Sequence, residues 1–147
     1  MLSYETLDAI ADAYNPLLAL IALAFIARSL FQSQWKVSGI RLMAFIMIAI
    51  VAYGLMFLDH QYHLWGYWEL DYSTHSAVAL GLVLLLSFIS PRFVMLWTIS
   101  FVGYALLMLY QRYHTVPDIL TTGIVVSIPT ILALKGLQRL QKESHKL

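Results

Sequence analysis

The chain contains no cysteine, so disulfides and thiolate metal ligands are both excluded and an oxidising compartment would be tolerated. Charge is also scarce: only 12% of the 147 residues are Asp, Glu, Lys or Arg, about half of what a soluble domain carries. There is no phosphate-cradling glycine loop, no nucleophile elbow and no basic patch of the kind that binds nucleic acid. No repeat, low-complexity stretch or second domain interrupts the sequence. The opening carries Glu5, Asp8 and Asp12, where a secretory signal would be basic, so no cleavage is expected.

What is present is hydrophobic. Apolar residues make up 61% of the chain and the mean hydropathy is +0.75, which points to one integral membrane domain. The expected fold is all-α, a polytopic transmembrane bundle of five spans at about residues 16–34, 42–58, 73–90, 93–111 and 115–134, followed by a basic tail at 135–147. Asn15 followed by Pro16 predicts the start of the first span, a polar cap with proline at the first helical position. Ser73 or Thr74 is expected to cap the third, and Pro91 to end it. Gly54, Gly81, Gly103 and Gly123 are read as positions of close helix packing.

Five spans place the termini on opposite sides. Arg28, Lys36, Arg41, Arg92, Lys135, Arg139, Lys142 and Lys146 then share the side of the tail, leaving only Arg112 on the other. By the positive-inside rule the tail is cytoplasmic and the N-terminus outside. Seven of the eight acidic residues, all but Glu143, fall on the outer side, with His60, His63, His75 and His114.

Two outer-face sequences carry chemistry. In YQRYHTVPD, His114 and Asp118 are four apart at the start of the fifth span and share a helical face. In DYSTHS, His75 follows Asp71, Ser73 and Thr74 in the first turn of the third. Helix N-termini favour anions, phosphate above all. One imidazole can attack phosphorus while a carboxylate fixes its tautomer and the second imidazole protonates the leaving oxygen. The plainer readings are that Thr115 and Asp118 form a capping box, and that Tyr62, Trp65, Tyr67, Trp68, Tyr72, Tyr110 and Tyr113 form an interfacial aromatic belt. A third reading groups Asp59, His60 and His63 with His75, His114 and Asp118 as ligands for zinc, iron or manganese.

DYSTHSAVALG resembles the serine-x-histidine motif of the type 2 phosphatidic acid phosphatase superfamily. RYHTVPDILTTG resembles its later histidine-x-x-x-aspartate motif, in the form of the inositol phosphorylceramide synthase-like and sphingomyelin synthase-like branches. The resemblance covers about residues 70–130. It implies a metal-free enzyme without cofactor, acting on a phospholipid or prenyl phosphate at the outer face of the cytoplasmic membrane. In it His114 forms a phosphohistidine, Asp118 orients His114, and His75 is the acid. Ser73, Thr74, Arg112 and Asp71 are the expected substrate contacts.

The sequence departs from the family pattern in having no lysine on the outer side, Met108 where an arginine is usual, Thr74 for a glycine, and five spans instead of six. These departures favour the headgroup-transferring branches, or a non-catalytic relative that binds lipid or a partner protein. In a homo-oligomer a neighbouring subunit would supply the missing cations.

Overall fold

The computed structural model of the chain describes residues 3–143, with side chains as far as Gln141; residues 144–147 of the expected tail lie outside the described residues. Five helices follow one another: α1 Tyr4–Phe31, α2 Trp35–Tyr62, α3 Thr74–Ile89, α4 Val94–Tyr110 and α5 Val116–Glu143. Short 3-10 turns at Gly66–Trp68 and Pro91–Phe93 complete the regular structure, and no strand occurs among the described residues. Helices α1, α2 and α5, and the stretch Pro91–Tyr110 that joins the second 3-10 turn to α4, are each long and apolar enough to cross a membrane, as an integral membrane protein requires.

Helix α3 has 16 residues, about 24 Å at about 1.5 Å per residue, short of the roughly 30 Å hydrocarbon layer. It lies at the centre of the bundle and packs against all four other helices, so protein surrounds most of it. Ala77, Leu85 and Leu86 on α3 are fully buried, in core clusters with Ala22 of α1, Ala44 and Ala52 of α2 and Val126 of α5, and Ala79 is fully buried in another with Ala11 of α1 and Tyr104 of α4. Small residues let backbones approach where lipid offers no hydrophobic drive to association. The outward faces carry Leu20, Ile50, Phe57, Met95, Ile99, Ile124 and Leu132, all exposed, as lipid-facing residues should be.

Of the four glycines expected at close contacts, only Gly81 makes one. A Cβ added there would stand 2.5 Å from Ile48 Cγ2 of α2. Gly54 and Gly103 face open space, and Gly123 has ordinary room beside Leu80. Gly81→Ala should therefore destabilise the bundle by about 1–3 kcal/mol through overpacking. Thermal unfolding in detergent checks this: Gly103→Ala should leave the midpoint unchanged or raised, and Ile48→Ala should relieve the Gly81→Ala defect.

The first span starts earlier than Asn15 and Pro16 suggest. Ser3 caps α1 by accepting from the Thr6 amide at 3.2 Å, and Pro16 lies inside the helix. Asn15 is no cap: its Nδ2 donates to the carbonyl of His75 at 3.0 Å, tying α1 to the first turn of α3. Helix α2 likewise runs through Asp59 and His60 before ending at His63, whose backbone is left-handed (φ 51°) and whose amide donates to the Asp59 carbonyl at 2.7 Å. Helix α2 also starts early, at Trp35 instead of about residue 42, whereas α3, α4 and α5 start within a residue of the reading of the sequence.

Candidate active site

One end of the bundle gathers the N-terminus of α1, the α2–α3 connection, the α4–α5 connection and the first turns of α3 and α5. Its geometry begins with the end of α4. The Tyr113 amide donates to the Met108 carbonyl and the Arg112 amide to the Leu109 carbonyl, each at 3.1 Å, with Arg112 left-handed at φ 58°. This is a Schellman closure with arginine where glycine is usual. It turns the chain so that Tyr113 and His114 face α1 and α3.

Asp118 then fixes the start of α5. It is 5% exposed, and its Oδ2 accepts from the Thr115 amide at 2.8 Å and the Thr115 hydroxyl at 2.6 Å. The Asp118 amide is 3.4 Å from Thr115 Oγ1, closing the capping box. Its second oxygen, Oδ1, accepts from the backbone amide of Asp71 at 2.9 Å. Asp118 thus joins α5 to the approach to α3. The carboxylate beside the His114 ring is that of Asp71: Oδ2 lies 3.5 Å from Nδ1, ion-pair distance without hydrogen-bond alignment. No hydrogen bond joins Asp118 to the imidazole, contrary to expectation: its oxygens accept from Thr115 and from the Asp71 amide, and the Asp71 side chain is the one beside the ring.

His75 and His114 do come together. They line a cleft of about 130 Å³ with Asp8 and Asp12 of α1, Tyr104 and Met108 of α4, and Tyr113. No lysine or arginine is among the lining residues. Burial is the main influence on His114 and pushes its pKa below the usual 6.5; Asp71 and Asp118 oppose this, while His75 adds to it. The Tyr113 hydroxyl donates to Asp8, which raises its pKa and keeps it a neutral donor. Tyr104 is 4% exposed, stacks on Tyr14 at 4.2 Å between ring centroids, and has a buried hydroxyl with no protein partner.

Ser73 differs from expectation because its own polar groups are already engaged. It is fully buried as the N-cap of α3, its hydroxyl donating to Ser76 Oγ at 2.8 Å and its amide to Thr122 Oγ1 at 3.1 Å. It does not line the histidine cleft, and neither does Thr74, the half-buried first residue of α3. Arg112 is exposed and also lies outside the lining. Two members of the expected aromatic belt are structural instead. Buried Trp65 donates through Nε1 to Thr121 at 3.0 Å, and buried Tyr72 donates through its hydroxyl to the Ala52 carbonyl at 2.8 Å. Tyr62, Tyr67, Trp68 and Tyr110 remain exposed at this end, where a belt belongs.

Asp8, Asp12, Tyr104 and Tyr113 were not singled out in the sequence as site residues. Asp8 and Asp12 are four apart, a spacing that marks one face of a helix, but Asn15 and Pro16 masked the earlier helix start.

The metal grouping does not assemble. Among the described residues no three metal-ligating side chains converge, Asp59 accepts the Trp65 amide at 2.8 Å, and His60 and His63 do not line the cleft. A larger apolar recess of about 570 Å³, beside Trp65, Trp68, Leu70 and Thr121, opens at the same end and contains no titratable side chain. No protein-family model, curated protein or solved structure matches the chain, so the functional reading rests on its own residues and on the two motifs they form.

Proposed function

We propose that the cleft transfers the phosphate-linked headgroup of a phospholipid, to water or to another hydroxyl, through a phosphohistidine at His114. The observation that carries this is the meeting of His75 and His114, 39 positions apart in the sequence, in one cleft. The likeness of their motifs to the type 2 phosphatidic acid phosphatase superfamily supports it.

With Nδ1 of His114 turned toward Asp71, Nε2 is the nitrogen free to react. Its lone pair attacks phosphorus, the bond from phosphorus to the lipid oxygen breaks, and that oxygen takes a proton from the His75 imidazolium. The headgroup phosphate is then held on His114. Neutral His75 next removes the proton of the acceptor hydroxyl as it attacks phosphorus, the P–N bond breaks, and both histidines return to their starting forms. The buried Tyr104 hydroxyl is a donor for a phosphoryl oxygen, and Asp71 stabilises His114 when it carries charge.

The electrostatics select the substrate. A dianionic phosphate monoester, including a prenyl phosphate, meets Asp8 and Asp12 with no fixed cation to offset them. A phosphodiester bearing an ammonium headgroup presents one negative charge to the histidines and one positive charge to the aspartates. The Tyr104 and Tyr113 rings add cation–π attraction for such a headgroup. The Lys/Arg distribution supports reading this end as the non-cytoplasmic face of the cytoplasmic membrane.

The test is headgroup release by purified protein from phosphatidylcholine, phosphatidylethanolamine, phosphatidic acid and a prenyl phosphate, with and without chelator. Chelator-resistant release from the two zwitterionic lipids is expected, with Asp12→Asn narrowing the preference over phosphatidic acid. Release that chelator abolishes, or none from any lipid, would sink the proposal.

A further inference from the structure

The opposite end of the bundle holds a second polar cavity, of about 360 Å³, whose lining includes Arg28 and Ser29 of α1, Gln32 just after it, Arg41 of α2, and Ser90 and Arg92 of the α3–α4 connection. We infer that this cavity binds the phosphate of an anionic ligand, a lipid headgroup or a soluble phosphate, at a site separate from the histidine cleft.

Three guanidiniums from three segments line one cavity and no carboxylate does. Nor is one near in sequence: no acidic residue occurs between Asp12 and Asp59, or between Asp71 and Asp118. The sole ion pair among the described residues is that of His114 with Asp71, at the other end. Like charges brought together repel, and an anion seated among them reverses the sign of that interaction.

Geometry separates this from ordinary snorkelling, in which each long side chain reaches outward to water by itself. Arg41 is turned inward: its Nη1 donates to the Phe25 carbonyl at 3.4 Å and to the Ser29 hydroxyl, both on α1. That leaves Nε and Nη2 to donate elsewhere. The Arg92 guanidinium lies 4.7 Å from the centre of the Phe93 ring, which holds it near the rim. The planar fork of arginine matches two phosphate oxygens at once, and the Ser90 and Gln32 side chains add neutral donors, while the Ser29 hydroxyl is already committed to the Phe25 carbonyl. Phe25 and Ile89 also line the cavity, giving an acyl chain apolar surface beside the charge. Basic pockets between helices on the cytoplasmic side are suited to anionic headgroups, and the Lys/Arg distribution supports reading this end as cytoplasmic.

The experiment titrates the purified full chain in neutral detergent with short-chain phosphatidic acid, short-chain phosphatidylcholine and inorganic phosphate, reading affinity from thermal stabilisation. It compares wild type with the Arg28→Gln, Arg92→Gln double variant. Arg41 is kept because it ties α1 to α2. Arg139→Gln, exposed at the same end and outside the cavity, controls for net charge.

Saturable, salt-sensitive binding of phosphatidic acid is expected, weakened about thirtyfold in the double variant and little changed in Arg139→Gln. Competition by inorganic phosphate would identify the phosphate group itself as the ligand. Its failure to compete, with binding intact, would identify the whole lipid. The inference is overturned if neither phosphatidic acid nor phosphate binds, if phosphatidylcholine binds equally, or if Arg139→Gln matches the loss in the double variant.

Discussion

Alanine at His114 is expected to reduce headgroup release to background, and alanine at His75 to lower it by about 10²–10⁴-fold, the usual worth of a positioned general acid. The asymmetry follows from the chemistry. Without the His114 nitrogen there is no covalent intermediate, whereas water can replace His75 as a poor proton donor. Single-turnover assays with phosphate-labelled lipid, quenched at alkaline pH where phosphohistidine survives, should capture label on the wild-type chain and none on His114→Ala. Label retained by His114→Ala would place the nucleophile elsewhere.

The pH profile reports on the same residue. Burial lowers the His114 pKa below 6.5, so the nucleophile is unprotonated at neutral pH and the acid limb should fall only below that value. The sign for stability agrees. The unfolded chain binds this proton first as pH drops, so the contribution of neutral His114 to folding is complete above pH 6.5 and is lost as pH falls through the lower folded value.

Asp118→Asn is expected to have the next largest effect, on stability and turnover together. Oδ2 accepts from both the amide and the hydroxyl of Thr115, and Oδ1 accepts from the Asp71 amide. An asparagine keeps one of these oxygens and puts an NH₂ group in place of the other, so a buried donor faces a donor. The expected loss is about 1–3 kcal/mol of folding stability, with turnover falling as Asp71 moves away from His114.

A structural loss alone would leave the pH profile in place, and the profile should instead move. Asp71 and Asp118 both raise the His114 pKa, so removing either charge should carry the acid limb to lower pH. Asp71→Asn, which keeps the backbone bond to Asp118, should shift the limb with little loss of stability. An unmoved limb in both variants would show that neither carboxylate acts through His114.

The all-helical fold was legible in the sequence because long apolar runs have few alternatives, and their ends carried clear signals. Ser73 caps α3, Pro91 ends it, and the T-x-x-D box opens α5, all by local hydrogen bonding or local sterics. The start of α1 was missed because Asn15 and Pro16 form a good local helix start, yet Asn15 is bound to α3 instead. The glycines were overread because packing distance depends on the neighbouring helix: only Gly81 has an isoleucine against it.

For the candidate site, the sequence by itself determined the helical content, the residues with chemistry to offer, and the concentration of acids and histidines toward one end. These depend on spacing and composition, which act over a few residues. Only the tertiary structure decided that His75 and His114 share a cleft with Asp8 and Asp12, that Ser73 is buried and unavailable, and that Asp118 holds the backbone of Asp71, whose side chain stands beside His114. It alone drew Arg28, Arg41 and Arg92 around one cavity. Such placements depend on how helices rotate and cross, and packing between residues far apart in the sequence sets that rotation.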